Sequence, residues 1–97
     1  MRRLAAILSA DAKGYSRLMG EDEEATIRTL SGHREVMIGI VQSHAGRLVD
    51  APGDNLLAEF PSLVEAVQCA VDIQRELRTR NADLSPDRAM EFRIGIE

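Results

Sequence analysis

Apolar residues follow two different spacings along this chain, and the order of those spacings limits the fold. Residues 3–10 form a nearly continuous apolar run, which is typical of a strand buried on both faces. From residue 25 to residue 41, apolar residues recur at helical spacing instead. The segment RLVDAPGDNLLAEF then places a proline–glycine pair between two short apolar runs. The first part of the chain therefore predicts a strand, a helical region and two strands joined by a turn.

The first helical region is predicted in two pieces. Residues 15–20 fit a short helical turn that Gly20 ends. The acidic residues 21–24 suit the first turn of a longer helix, where negative charge is favoured. Gly46 is the predicted C-terminal cap of that longer helix.

The clearest helix is predicted from Pro61, which suits its first turn. One apolar stripe runs along it, and arginines accumulate toward its C-terminal end, where positive charge is favoured. The stripe consists of Leu63, Ala66, Val67, Ala70, Ile73 and Leu77. The closing segment MEFRIGIE alternates apolar residues with others, as a half-buried strand does.

The resulting order, β-α-β-β-α-β, is that of the split βαβ or ferredoxin-like architecture. We therefore predict an α+β fold in which an antiparallel sheet carries its helices on one face, so that both helical stripes are buried. The first strand is expected beside the strand that follows the first helical region. A chain of 97 residues is long enough for one such domain.

Composition narrows the class of protein. The formal net charge of −4 and the aromatic content of 3% disfavour a nucleic-acid partner, which needs a basic surface or stacking platforms. The single cysteine, Cys69, fits a cytoplasmic protein and is expected to be a buried, inert thiol. No apolar run approaches the roughly 20 residues that a membrane helix needs, so no membrane segment is expected. His33 and His44 are expected on the surface or at the end of the long helix.

Two aspartates share a context that suggests chemistry. Asp11 ends the first strand just before Gly14, and Asp54 follows the proline–glycine turn. If the two carboxylates converge, they repel each other unless a cation such as Mg²⁺ or Mn²⁺ lies between them. The backbone amides of residues 13–16 are suited to an anion at the start of the short helix. On these residues alone, the alternative that both aspartates are ordinary turn residues stays open.

Three segments together resemble the N-terminal half of a class III adenylate/guanylate cyclase catalytic domain: RRLAAILSADAKGYSRLMGEDEEAT, GRLVDAPGDNLLAEFPSLVEAVQCAVDIQREL and FRIGI. The resemblance covers nearly the whole chain in the family's order. It implies a lyase of signal transduction that converts ATP or GTP to a cyclic nucleotide and pyrophosphate. It also implies two divalent metal ions, Mg²⁺ or Mn²⁺, and dimers with active sites at the subunit interface.

Matched position by position, the resemblance implies the residues of the site. Asp11 matches the first metal-binding aspartate, and Asp54 matches the second, in the family's Gly-Asp hairpin. The backbone carbonyl of Ala12 matches a further metal contact. The phosphate-binding turn is implied for Lys13, Gly14, Tyr15 and Ser16.

Two positions, Asp50 and Lys13, depart from the family pattern. Many adenylyl cyclases carry lysine where this chain has Asp50, and guanylyl cyclases tend to carry glutamate. Asp50 therefore matches a base-selecting position but leaves the choice between ATP and GTP open, and the alternative that it merely ends a strand also stays open. Lys13 replaces what is commonly an apolar residue, and its side chain is expected in solvent.

The resemblance also limits the activity expected of these residues. Residues 1–97 are expected to form a single, partial catalytic domain that ends before the family's C-terminal segment, where an asparagine and an arginine complete catalysis. Alone, they are expected to be almost inactive. Two alternatives are a non-catalytic regulatory or dimerisation module with the cyclase fold and a plain ferredoxin-like interaction domain. A sheet edge left open predicts a homodimer or another homo-oligomer.

Overall fold

Strands and helices follow one another in the order that the sequence predicts. A computed structural model describes residues 5–97. Its elements are β1 (Ala6–Ala12), α1 (Tyr15–Glu21), α2 (Glu23–Ser43), β2 (Arg47–Asp50), β3 (Asn55–Phe60), α3 (Leu63–Asn81) and β4 (Phe92–Ile96). The predicted first strand began at residue 3, so its first two residues lie outside the described ones. The two-piece helix and the α+β order are confirmed.

The four strands form one antiparallel sheet in the order β2-β3-β1-β4. This is the predicted ferredoxin-like sheet, but the expected neighbour of β1 was wrong. β3, and not the strand directly after the helical region, lies beside β1. Both β1 and β2 run antiparallel to β3, so they are parallel to each other, and the hairpin strand β3 fills the gap between them.

One face of the sheet is covered by helices, as predicted. Along β1, Leu8 and Ala10 are buried, whereas Ser9 between them is exposed. α3 packs against β1, β3 and β4, and α2 packs against α3 and β2. We call the covered side the helix face and the other side the open face. β4 shows the same alternation, since Phe92 is buried and Arg93 is exposed.

The boundary between α1 and α2 depends on Asp22. Gly20 does not end α1, which continues to Glu21 and closes with a bond from the Asp22 amide to the Leu18 carbonyl oxygen. The Asp22 carboxylate then caps α2 by accepting a hydrogen bond from the Ala25 amide at 3.0 Å. The prediction that acidic residues open the long helix is confirmed for Asp22 and the two glutamates that follow it.

The C-terminal end of α2 differs from the prediction. Ala45, not Gly46, adopts the left-handed conformation, with φ of 61°. The amides of these two residues bond back to the carbonyl oxygens of Gln42 and Val41, which is the Schellman arrangement. Gly46 is required for a different reason, because a Cβ atom there would lie 2.4 Å from the Phe60 ring.

α3 begins two residues later than Pro61 suggested. Ser62 is the N-cap, and its hydroxyl accepts a hydrogen bond from the Glu65 amide at 3.2 Å, so Pro61 precedes the helix. Leu63 and Val67 of the predicted stripe are exposed. The buried stripe is Ala66, Cys69, Ile73 and Leu77. Cys69 is buried, as expected, and burial raises the pKa of its thiol to about 11.

The surface position expected for His33 is wrong. Its side chain is buried, with Nε2 lying 2.8 Å from the Asn81 side-chain oxygen, and its Nδ1 accepts a hydrogen bond from Arg80 at 3.2 Å. The Arg80 donor leaves the ring proton on Nε2. Asn81 in turn bonds to both backbone groups of Met90. His33 therefore joins α2 to α3 and to the segment before β4.

Candidate functional site

Asp11 lies at the C-terminal end of β1 on the open face. In the register of the sheet it stands opposite Asn55 of β3 and Arg93 of β4. Arg93 donates a hydrogen bond to the Asp11 carboxylate across 2.5 Å between Nη2 and Oδ2. The local sequence around either residue does not indicate this partner. Their pairing follows only from the register of β1 against β4.

Asp54 reaches the same end of β1 from the hairpin between β2 and β3. The hairpin turn closes with a bond from the Asn55 amide to the Pro52 carbonyl oxygen, and Gly53 adopts a positive φ of 57°. This turn directs the Asp54 side chain toward β1, where its Oδ2 accepts a hydrogen bond from the Ala12 amide at 3.3 Å. Asp54 thus lies against the residue next to Asp11.

The turn after β1 uses its backbone groups in two ways. The Lys13 amide donates to the Glu91 carbonyl oxygen at 2.8 Å, so it is engaged inside the protein and cannot also donate to an anion. Gly14 has a φ of 62°, a left-handed conformation that favours glycine. The amides of Tyr15 and Ser16 belong to the first turn of α1, where N–H groups have no partner within the helix.

Lys13 and Asp50 lie in different surroundings. The Lys13 side chain is exposed, as expected, and borders a cleft beside α3 together with Arg78 and Glu91. Asp50 is exposed at the end of β2, where its carboxylate accepts a hydrogen bond from the Ala51 amide at 2.9 Å. The strand-ending role considered for Asp50 is therefore present in the structure.

Asp11 and Asp50 both line an open cleft of about 350 Å³ on the open face. Ser9, Asn55 and Leu57 also line it. Among residues 5–97, no three His, Cys, Asp or Glu side chains group around a common point. The donors at this cleft are the carboxylate oxygens of Asp11 and Asp50, and Asp54 is not among its lining residues. This set fits Mg²⁺ or Mn²⁺ better than a softer ion, because Mg²⁺ uses one or two carboxylates and completes its shell with water or phosphate.

Arg88 is a further residue that the sequence analysis did not single out. Its guanidinium donates to the Leu18 carbonyl oxygen at 3.3 Å and to the Thr26 hydroxyl at 2.5 Å. It therefore ties the segment before β4 to the corner between α1 and α2. In the part of the chain that the structure describes, no helix is long and apolar enough to cross a membrane.

The chain is similar to known proteins in both sequence and structure. The chain is 48% identical over 96 residues to a protein of Rhizobium meliloti (strain 1021) named "Putative adenylate cyclase 3", covering 98% of this chain and 16% of that protein. It is 36% identical to the crystal structure of an adenylate/guanylate cyclase/hydrolase from Silicibacter pomeroyi. That superposition has a TM-score of 0.86 and covers 99% of this chain and 56% of the other. No family model matches the chain.

A second solved structure supports the fold alone. It is the guanylate cyclase domain of RhGC from Catenaria anguillulae in complex with GTP, with 18% identity and a TM-score of 0.80, covering 95% of this chain and 54% of that one. The chain thus spans about half the length of these structures and a smaller share of the curated relative. The sequence identities and the shared sheet and helix order lead to one conclusion: the chain belongs to the class III adenylate/guanylate cyclase domain family.

Proposed function

We propose that residues 1–97 are the metal-binding half of a cyclase catalytic domain that, when intact, converts ATP or GTP to a cyclic nucleotide and pyrophosphate. The observation that supports the proposal is the hydrogen bond from the Ala12 amide to the Asp54 carboxylate, which holds the second aspartate against the residue that follows Asp11. The chain's relatives in Rhizobium meliloti and Silicibacter pomeroyi, which carry cyclase names, support the same activity. A cytoplasmic location and a role in signal transduction accompany this proposal.

Asp11, Asp54 and the carbonyl oxygen of Ala12 are the groups that would hold the metal. β1 lies between two hydrogen-bonded neighbours, so Asp11 projects from a rigid strand and needs little reorganisation to bind. When bound, a divalent cation supplies the positive charge that holds a triphosphate and favours ionisation of the attacking ribose hydroxyl. The family uses two such ions, and the proposal extends to both.

Hydrogen bonds within the protein reduce the number of backbone amides that could contact a phosphate at the turn after β1. The N-cap residue Gly14 offers its amide, and so do Tyr15 and Ser16 in the first turn of α1. Lys13 contributes at most its side chain, since its amide bonds to Glu91. Asp50 would face the base, because it shares the cleft with Asp11. A carboxylate accepts from both ring and exocyclic donors of guanine, whereas adenine offers a single exocyclic donor there.

A homo-oligomer is part of the proposal. β2 and β4 form the two edges of the sheet in the described part of the chain. Ile94 and Ile96 of β4 are only partly buried although they pack against the core. An edge strand with partly covered apolar side chains favours pairing with another strand. Light scattering tests this point, and a single monomeric species at high concentration would contradict it.

Calorimetry with a non-hydrolysable nucleoside triphosphate and Mn²⁺ tests the metal site. We expect binding that requires the metal and that is lost in Asp11→Asn and in Asp54→Asn. Glu59→Gln is the matched control, because Glu59 is another open-face carboxylate but pairs with Arg47. Unchanged binding in both aspartate variants would refute the site. Comparing ATP and GTP analogues decides the base preference.

Turnover is expected to be small for a polypeptide of residues 1–97 alone. The asparagine and arginine that complete catalysis in the family have no counterpart among the matched positions, and loss of a transition-state arginine costs on the order of 10³-fold or more. Production of cyclic nucleotide at rates normal for the family would contradict this part of the proposal.

A second candidate, a non-catalytic regulatory or dimerisation module, is favoured by one observation. Both aspartate side chains already have hydrogen-bond donors from the protein, Arg93 for Asp11 and the Ala12 amide for Asp54. A carboxylate that serves only the fold would show such bonds. Failure of the wild-type chain to bind metal and nucleotide would favour this module over the cyclase half.

A further inference from the structure

Asp11, which the proposed function assigns to a metal ion, forms an ion pair with Arg93 in the structure. Arg93 stands directly opposite Asp11 across the β1–β4 pair, on the open face. Its Nη2 lies 2.5 Å from Oδ2 of Asp11. The Arg93 side chain is 66% exposed, so it has room to turn away into solvent. The guanidinium therefore neutralises Asp11 without being locked in place.

We propose that Arg93 is an internal counter-cation that competes with the divalent metal for the Asp11 carboxylate. This inference rests on the proposed function, since it takes Asp11 as a metal ligand. In the metal-free protein the guanidinium holds Asp11, and metal binding requires that it move off the carboxylate. Arg93 thereby lowers the affinity for the free metal ion and acts as a latch on the site.

The competition follows from charge and geometry. A carboxylate that accepts a short hydrogen bond from a guanidinium has part of its coordination capacity engaged. A divalent cation on the same carboxylate would also lie within a few ångströms of the arginine, and like charges at that separation repel each other. Within residues 5–97, the hydrogen-bond partner of Asp54 is a backbone amide and not a cation. The effect is thus specific to Asp11.

The sheet contains a matched pair that serves as control. Arg47 and Glu59 also face each other across neighbouring strands, β2 and β3, with Nη2 and Oε1 2.7 Å apart. Arg47 is 66% exposed, the same value as Arg93, and Glu59 is 37% exposed against 39% for Asp11. Removing either arginine changes the net charge by the same amount. Only Arg93 touches a proposed metal ligand.

Electron paramagnetic resonance of Mn²⁺, titrated alone at 0.15 M salt, measures the affinity in wild type, Arg93→Gln and Arg47→Gln. That salt limits long-range effects of net charge to a distance of about 8 Å. We expect the dissociation constant to fall about fivefold in Arg93→Gln, which is the upper range for a surface ion pair. It should stay at the wild-type value in Arg47→Gln. Arg93→Lys keeps the positive charge but loses the two parallel N–H groups of the guanidinium. Its dissociation constant should therefore lie between those of Arg93→Gln and the wild type.

The outcomes separate this inference from the proposed function. Tighter Mn²⁺ binding in Arg93→Gln, together with unchanged Mn²⁺ binding in Arg47→Gln, supports the latch. Equal Mn²⁺ affinity in wild type and both glutamine variants overturns the latch and leaves the metal site standing. No Mn²⁺ binding in any variant overturns the metal site and the latch together. If Arg93→Gln unfolds, Arg93→Lys decides, because an affinity equal to wild type or lower would contradict the competition.

Discussion

The helix face and the open face of the sheet share the same strands but differ in what their side chains do. On the helix face, Leu8 and Phe60 are nearly inaccessible and contact other apolar residues. On the open face, Asp11 and Glu59 are partly exposed and paired with arginines. Successive residues of a strand point to opposite faces. The seven residues of β1 therefore place core side chains such as Leu8 on the helix face and Asp11 on the open face. Substitutions on the two faces should therefore have separable effects.

The largest effect is expected on the helix face. Leu8→Ala removes a fully buried side chain from the central strand, and we expect it to lower the free energy of unfolding by about 2–5 kcal/mol. Ser9→Ala, the next residue on the open face, should change it by less than about 0.5 kcal/mol. Urea unfolding monitored by circular dichroism measures both. Similar losses for the two variants would remove the distinction between the faces.

Gly46 tests how closely the helix face is packed at its edge. A Cβ atom there would lie 2.4 Å from the Phe60 ring, so Gly46→Ala should destabilise by about 1–3 kcal/mol. Gly39→Ala is the control, since nothing lies within 4 Å of a Cβ atom at this helical position. It should stabilise by about 0.5–1 kcal/mol. Thermal unfolding compares the two, and a neutral Gly46→Ala would show that Phe60 moves freely.

The two histidines should give pH effects of opposite sign. Burial lowers the pKa of His33 below 6.5. The unfolded chain then takes up its proton first, so stability falls as the pH drops below 6.5 toward the lowered pKa. Hydrogen bonds to Asp72 and Glu65 raise the pKa of His44 above 6.5. Its contribution is complete below 6.5 and is lost as the pH rises through the raised pKa.

Denaturant unfolding between pH 5 and pH 9 in wild type and His44→Gln separates the two contributions. We expect His44→Gln to lose the decline on the alkaline side and to keep the decline on the acidic side, which belongs to His33. An unchanged alkaline side in His44→Gln would contradict the role assigned to the Asp72 and Glu65 carboxylates.

A small effect on stability is expected at Asp11, where the effect on binding is largest. Asp11→Asn removes an exposed ion pair, so the free energy of unfolding should change by at most about 1 kcal/mol. Metal-dependent binding should be lost in the same variant. Parallel urea unfolding and calorimetry measure the two quantities. A large loss of stability in Asp11→Asn would show that the open face also holds the fold together.

The candidate site was predicted in part. Resemblance to the family assigned Asp11 and Asp54, and the turn glycine Gly14 has the left-handed conformation that a break after the strand requires. The Lys13 amide was assigned to an anion, but it bonds to Glu91, a residue that local sequence around the turn does not reveal. Arg93 was seen only as the polar residue of an alternating strand.

The order and type of the elements follow from the amino-acid sequence alone, because helix and strand periods and the proline–glycine turn are set by residues close together in the chain. Even at the helix ends, the capping residue required the structure, as Ala45 and Ser62 show. Three features required the folded structure: β3 lies beside β1, His33 is buried, and Arg93 faces Asp11. That last contact joins residues 82 positions apart, and the bond from Ala12 to Asp54 spans 42. Such pairs depend on sheet register, which the packing of the whole helix face fixes and no local pattern encodes.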